Sequence, residues 1–300
     1  MGAPFAFSAG EAAAGTPLPA GACDCHVHVY DSHHAAVPGA TLRPPDASIG
    51  QYRGIQARMR TSRAVLVTPS TYGANNAPML AGLRELGDDG RGVAVIAGDE
   101  GEDELRRLDL AGVRGIRVNL SLGTTNDAGD IARLAAKVAP LGWHLQLLMP
   151  SDQLVRIAPV LRDLPAEVVF DHFARIAPQD FHREPAHALV LELLAAGRAW
   201  IKLSGGYLVS PAGSTEDPAL DALARSFIEA APAQVVWGSD WPHATASAGR
   251  QPMPDDARQI DRLAEWAGDA RTLHALVVNN PQRLYGFPRT SYRTFQEIPS

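Results

Sequence analysis

The sequence predicts a (β/α)8 barrel of the α/β class on three observations. Eight short strand-like runs recur along it, amphipathic helical stretches lie between them, and polar residues gather where the runs end. The runs are Ala22–Val29, Ala64–Thr68, Gly92–Ala97, Gly115–Leu120, His144–Leu148, Val168–His172, Trp200–Ser204 and Val235–Asp240. The intervening stretches include Glu102–Ala111, Asp130–Ala139, Gln153–Leu164 and Pro218–Ala230. Each carries apolar residues at three- and four-residue spacing, as a helix covering a sheet requires. A doubly wound open sheet would alternate in the same way. No G-x-G-x-x-G or P-loop pattern follows the first run, which removes the usual nucleotide-binding versions of that fold. In a barrel, functional groups are expected at the C-terminal ends of the strands.

Composition narrows the function classes. The chain has 300 residues, 27 basic against 33 acidic side chains, and a formal charge of −6. Only Lys137 and Lys202 are lysines, and no basic run exists, so there is no electrostatic case for nucleic acid or an anionic membrane. No stretch approaches the roughly 18 uninterrupted apolar residues of a membrane span. Cys23 and Cys25 lie too close in sequence to make a disulfide framework. Residues 1–20 are rich in Ala, Gly and Pro but lack a cationic start and a sustained apolar core. The expected organisation is a flexible tail at 1–20, one catalytic barrel at 21–288 and an extension at 289–300. A cytoplasmic enzyme acting on a small molecule is expected.

The strand ends carry the chemistry. Period two puts Asp24, His26 and His28 on one face of the first run, with Cys23, Cys25 and Val27 on the other. The cysteines are expected to face helices and pack as small apolar residues. Arg117 and Asn119 share a face in the fourth run, His144 and Gln146 in the fifth, Lys202 and Ser204 in the seventh. The sixth run ends in Asp171-His172, and the eighth leads into Asp240-Trp-Pro-His243. Barrel interiors are filled mostly by branched apolar side chains, so this many polar groups carry a cost that a site would explain. A single strand-end histidine is as easily a structural group, and Asp240 alone would serve as a helix N-cap. His-x-His on one strand is more specific, because both imidazoles can converge on one substrate or ion. His33, His34, His182 and His187 read as solvated, and Trp241 as a wall of the pocket.

Three motifs together resemble the amidohydrolase superfamily, amidohydrolase family 2. They are Cys23-Asp-Cys-His-Val-His28, Val169-Phe-Asp-His172 and Val236-Trp-Gly-Ser-Asp-Trp-Pro-His243. Gly112-Val-Arg-Gly-Ile-Arg-Val-Asn119, Leu141-Gly-Trp-His144 and Asn280-Pro-Gln-Arg-Leu-Tyr285 are similar to one branch of it, in the same order. That branch contains 2-pyrone-4,6-dicarboxylate lactonase, D-galactarolactone isomerase and sulfomuconolactone hydrolases. The resemblance spans 21–288 and implies a distorted barrel with its site at the strand C-termini. It implies Asp240 as general base, with His26, His28 and His172 polarising the carbonyl and holding substrate. The implied reaction is hydrolysis of the ester bond of a carboxylated lactone. A lactone isomerase or a metal-dependent decarboxylase on the same barrel are the alternatives, and intact His26 favours hydrolysis over isomerisation.

Arg117 and Arg175 match arginines that grip carboxylates in the dicarboxylate lactonase, where a bidentate guanidinium suits the ligand. Two further anion clamps of that relative are missing. Ser121-Leu-Gly-Thr-Thr125 lacks a Lys-Arg pair, and Ser204-Gly-Gly-Tyr207 lacks an arginine. A smaller or less charged lactone is therefore expected. Gln146 and His243 are further expected substrate contacts. Arg43 is placed by the loop over the mouth, and Asn76 by the hydroxyl- and amide-rich segment from Thr68. Lys202 is left between pairing with Asp24 or Asp240 and contacting an anionic substrate. His26, His28, His172 and Asp240 are also donors that zinc would choose. The fourth strand carries no lysine to bridge two ions, which argues against a binuclear centre. The resemblance to the lactonase, which works without metal, implies no obligatory cofactor, with a single zinc or similar ion as the alternative.

Overall fold

The computed structural model describes residues 5–120 and 128–288. Eight parallel strands pair in chain order: β1 Cys23–Val27, β2 Arg63–Val67, β3 Gly90–Ala94, β4 Val113–Asn119, β5 His144–Leu148, β6 Val168–Phe170, β7 Ala199–Leu203 and β8 Val235–Trp237. The ring closes between β8 and β1. The Asp240 amide donates to the His26 carbonyl at 2.9 Å, and the His28 amide donates to the Trp241 carbonyl at 2.8 Å. The fold is the expected (β/α)8 barrel. The Ser121–Thr125 stretch lies outside the described residues.

Alternation along the strands sorts apolar side chains into two layers. Val27, Leu66, Ile116, Leu145, Phe170, Ile201 and Trp237 join the large layer between strands and helices. Val65, Val67, Val93, Val169, Trp200 and Val236 fill the interior, with Leu284, Tyr285 and Phe287 plugging its lower end. Arg63 and Arg91, near the starts of β2 and β3, stack on the Phe287 ring, which places that plug at the strand N-termini. The opposite end is left for polar groups.

The first strand departs from simple alternation. Asp24 pairs with Ala64 and Val27 with Leu66, so β1 bulges by one residue between them. A bulge turns two successive residues to one side. Cys23 and Cys25 consequently belong to the interior cluster, against the expectation that they face helices. Asp24 does not share a face with His26. It points outward, accepting from the Tyr52 hydroxyl of α1 (Ile49–Met59) at 2.9 Å.

The helices broadly follow the sequence pattern: α2 Ala77–Leu86, α3 Glu102–Leu110, α4 Ala128–Val138, α7 Pro185–Ala195, α8 Ala219–Ala230, α9 Ala244–Ser247, α10 Asp256–Ala267, α11 Ala270–His274 and α12 Asn280–Tyr285. The stretch expected as one helix over Gln153–Leu164 is two, α5 Ser151–Arg156 and α6 Ala158–Asp163. Pro159 has no N–H to give to the turn before it, and the helix restarts there. His187 is buried rather than solvated, with Nε2 2.9 Å from the Ser226 hydroxyl.

The segment before β1, expected as a loose tail, is tied to the barrel from Ala6 to Thr16. Arg58 of α1 gives Nε to the Ala12 carbonyl, Nη1 to Ser8 Oγ and the Ala9 carbonyl, and Nη2 to Asp255. Trp241 Nε1 donates to the Ala6 carbonyl, and the Thr16 amide to Asp261. One buried guanidinium thus satisfies several chain groups that would otherwise need water. Arg58→Ala should accelerate hydrogen exchange at the Ala9 and Ala14 amides by about tenfold or more, because their anchor is removed. Unchanged exchange there would show that the segment holds itself in place.

Candidate active site

A cavity of about 280 Å³ opens at the strand C-termini, lined by His28, Tyr30, Arg117, Asn119, His172, Arg175, Tyr207 and Asp240 among others. Two strand ends bring its key groups in by leaving the sheet early. β6 stops at Phe170, and His172 to Arg175 all take left-handed backbone, φ 49° to 57°. This sharp turn faces both His172 and Arg175 into the cavity. β8 stops at Trp237, and Asp240 sits at φ 69°. Left-handed non-glycine residues cost about 1–3 kcal/mol each and survive only where surroundings hold them. Both runs had been expected to stay extended to Asp240 and His172.

Those surroundings are visible around Asp240. Gly238 passes so close to β1 that a Cβ there would lie 2.5 Å from the His26 Cβ, so only glycine fits. Ser239 donates its amide and hydroxyl to Asp24, at 2.9 and 2.6 Å. Asp24, buried and pushed up to about 6, anchors the loop from outside the barrel. Tyr207 donates its hydroxyl to Asp240 Oδ2 at 2.5 Å. The other oxygen, Oδ1, lies 3.6 Å from His26 Nε2, 3.7 Å from His28 Nε2 and 3.9 Å from His172 Nε2.

Electrostatics favour an ionised Asp240. Burial works to raise its pKa, but the three imidazoles and the Tyr207 hydroxyl outweigh that and hold it below the usual carboxylate value. Burial pushes His28 down to about 4 and also lowers His26 and His172, so the imidazoles are neutral near pH 7. The result is a carboxylate ringed by neutral hydrogen-bonding groups, poised to take a proton.

Below the cavity lies a fully buried polar floor. Asp171 Oδ2 accepts from Arg117 Nε at 3.1 Å and from Gln146 Nε2 at 3.0 Å. Its Oδ1 lies 3.3 Å from His26 Nδ1 and 3.5 Å from Lys202 Nζ. Lys202 donates to Gln146 Oε1 at 2.8 Å. Burial works to raise the Asp171 pKa, yet His26, Lys202 and Arg117 drive it well below the ordinary range.

Of the residues expected in the site, Asp240, His28, His172, Arg117 and Arg175 line the cavity. His26, Gln146 and Lys202 form the buried floor and do not reach it. Lys202 pairs with neither Asp24 nor Asp240, because the bulge turns Asp24 away and Asp171 stands nearer. His243 is buried beside Asp256, Nε2 to Oδ1 3.1 Å, with its ring edge-on to Tyr207. It supports Tyr207 rather than substrate. Arg43 lines a neighbouring cavity that shares Tyr30 and Thr71. Asn76 braces two strand ends, accepting from Thr68 Oγ1 and the Val95 amide. Trp241 is buried against Phe7 and Tyr52 and is not among the residues lining this cavity. Asp171 as the floor's centre, Tyr207 and Tyr30 were missed. Tyr30 continues the His26–His28 period of two and was legible; Tyr207 follows a glycine-rich turn with no pattern of its own.

Two donor groups among the described residues suit a metal ion: His26, His28 and Asp240, and His26, Asp171 and His172. The Nε2 atoms of His26 and His28 are 3.2 Å apart. With 3.6 and 3.7 Å from Asp240 Oδ1 to these two Nε2 atoms, the first group approaches the edge of a zinc tetrahedron, about 3.3 Å for ordinary Zn–N distances. The positions fit a single ion.

A closed parallel barrel with a carboxylate, three imidazoles and two guanidinium groups at its C-terminal mouth is the build of a TIM-barrel enzyme. The chain belongs to the amidohydrolase family, whose model matches residues 23–287. It is 31% identical to a 2-pyrone-4,6-dicarboxylate hydrolase of Comamonas testosteroni, over 89% of this chain and 91% of that one. It is 26% identical to a D-galactarolactone isomerase of Agrobacterium fabrum, over 89% and 92%. A solved structure from Acinetobacter baumannii, titled a probable 2-pyrone-4,6-dicarboxylic acid hydrolase with citric acid bound, superposes with a TM-score of 0.76 at 26% identity. That likeness covers 89% of this chain and 100% of the other.

The floor yields a stability prediction. Asp171→Ala strands Lys202 and Arg117 without their shared carboxylate and should cost about 3–5 kcal/mol in urea unfolding. A folded-state pKa below the unfolded value means that this contribution is present above about pH 4 and fades as pH falls further. The gap between wild type and variant should therefore narrow toward pH 3. A loss below about 1 kcal/mol at pH 7 would contradict the assigned role.

Proposed function

We propose that the protein hydrolyses the ester bond of a lactone bearing a carboxylate, with Asp240 as the base. The observation that carries this reading is the Asp240 carboxylate, its pKa held low by its surroundings, lining one small cavity together with two arginines. Lactone hydrolases and isomerases among the relatives, and a carboxylic acid in a related structure, support the substrate class.

The geometry suggests the following course. The substrate carboxylate meets Arg117 and Arg175, which are spent only in part on protein groups: Arg117 Nε on Asp171, Arg175 Nη1 on the Leu208 carbonyl. Asp240 Oδ1 takes a proton from water as the water oxygen bonds to the acyl carbon. His172, with Nδ1 held by the Ser204 hydroxyl at 2.9 Å, turns Nε2 toward the same space and serves the oxygen that gains charge. The ring C–O bond then breaks and Asp240 returns its proton to the leaving oxygen. His26 lies beneath this space and acts through His28 and Asp240, a narrower role than direct contact with the carbonyl. A divalent ion held by His26, His28, His172 and Asp240 would supply Lewis-acid polarisation of the carbonyl. We propose no obligatory metal; zinc in stoichiometric amount, lost together with activity on chelation, would overturn that.

Asp240→Asn should lower kcat/KM on the best carboxylated lactone by about 10²–10⁴-fold. Near wild-type turnover by that variant would remove Asp240 from the mechanism. Arg117→Met should raise KM for a carboxylated lactone and leave a neutral one almost unaffected; equal damage to both would mean that the barrel, not recognition, has changed.

The rate should also report the tyrosine. With Asp240 held low, wild-type kcat/KM should stay level from neutral pH down toward the ordinary carboxylate range. Tyr207→Phe removes a donor to the carboxylate, which raises its pKa and moves the acid limb to higher pH. An unshifted limb would show that Asp240 does not set it.

A further inference from the structure

We propose that Lys202 fixes the proton of His26 on Nε2 and thereby closes the His26–His28 pair on itself, against capture of a divalent ion. This goes beyond the proposed reaction and holds for any substrate.

The chain of donors starts from two fixed ends. At one end, His28 Nδ1 lies 2.7 Å from the Val67 carbonyl, which only accepts. His28 Nδ1 must then carry the proton, and in the neutral ring Nε2 is left as an acceptor. At the other end, Lys202 Nζ is 3.3 Å from His26 Nδ1 in hydrogen-bonding geometry. The amine has a proton to give in either charge state. His26 Nδ1 therefore accepts, and its proton sits on Nε2, pointing at His28 Nε2 3.2 Å away. Donor and acceptor alternate without conflict from Lys202 through His26 and His28 to Val67.

The opposite tautomer fails at two points. A proton on His26 Nδ1 would face the amine of Lys202, and two Nε2 lone pairs would then confront each other at 3.2 Å. Asp171 Oδ1 stands 3.3 Å from His26 Nδ1 and is the acceptor that this tautomer would use. That oxygen is buried 3.5 Å from Lys202 Nζ, and no donor, the ring nitrogen included, stands in good hydrogen-bonding geometry to it. Lys202 is itself held by Gln146 Oε1, whose amide is oriented by Asp171 on its other side. The lysine thus reaches the ring nitrogen in hydrogen-bonding geometry while it stands beside the carboxylate that the other tautomer would use.

The consequence concerns metal. A ligating histidine needs its lone pair on the metal-facing nitrogen and gives its other N–H to a partner, often a carboxylate. His26 and Asp171 form that pair in position, and Lys202 holds the proton on the wrong nitrogen for it. Lys202→Met removes the donor, lets Nδ1–H turn to Asp171 and frees both Nε2 lone pairs. Lys202 is a positioning residue: it acts on the site through His26.

Two readouts test this without reference to turnover. In wild-type protein labelled with ¹⁵N-histidine, the long-range ¹H–¹⁵N spectrum should show His26, assigned by its loss in His26→Gln, protonated on Nε2. His28 should be protonated on Nδ1. In Lys202→Met, the His26 proton should move to Nδ1, and zinc, titrated against a chromophoric chelator, should bind about 10–100-fold more tightly. Protonation of His26 on Nδ1 in the wild type would overturn the proposal, whether or not the variant folds. So would a folded variant, judged by circular dichroism, that binds zinc no better than wild type.

Discussion

The Asp171 carboxylate is the constraint on which the site rests. It lies fully buried at the end of β6 and gathers side chains from four other strands: Arg117 of β4, Gln146 of β5, Lys202 of β7 and His26 of β1. A charge so buried is tolerable only where cations and donors surround it. The same charges that hold it also orient the cavity. Arg117 is held by its Nε where it lines the cavity, and His26 is seated beneath Asp240. One acid therefore links the packing of the barrel to the chemistry at its mouth.

Asp240 is placed by a different device. β8 ends early, Gly238 lets the chain touch β1, and Ser239 is pinned to Asp24 from outside. The left-handed backbone at Asp240 then turns its carboxylate inward under Tyr207. His243 and Asp256 brace that tyrosine from behind. Acidic net charge overall and a cationic rim locally are compatible, because Arg117 and Arg175 act over a few ångströms within a cavity that solvent screens poorly.

Much of this was legible in the sequence, because a parallel barrel exposes its function at strand ends, and strand ends can be read from apolar runs. His28, His172, Arg117 and Asp240 stand at the strand ends where that logic put them, and Arg175, named by the resemblance alone, lines the same cavity. Single-residue irregularities were not legible. The bulge in β1 turned Asp24 outward and the two cysteines inward, reversing a face assignment that strict alternation had made. Partner choice was also hidden. Lys202 meets Asp171, Asn76 ties strand ends together, and His243 meets Asp256, because long-range neighbours follow from tertiary packing rather than local pattern. Arg43 points into an adjoining cavity for the same reason.

The proposed reaction turns on water, activated by Asp240, attacking the acyl carbon of a lactone. Turnover of a carboxylated lactone in ¹⁸O-water, followed by mass spectrometry of the product, tests that directly. Attack by water should leave one ¹⁸O atom, located in the newly formed carboxylate. Label in the product hydroxyl, or an unlabelled isomer as product, would contradict it.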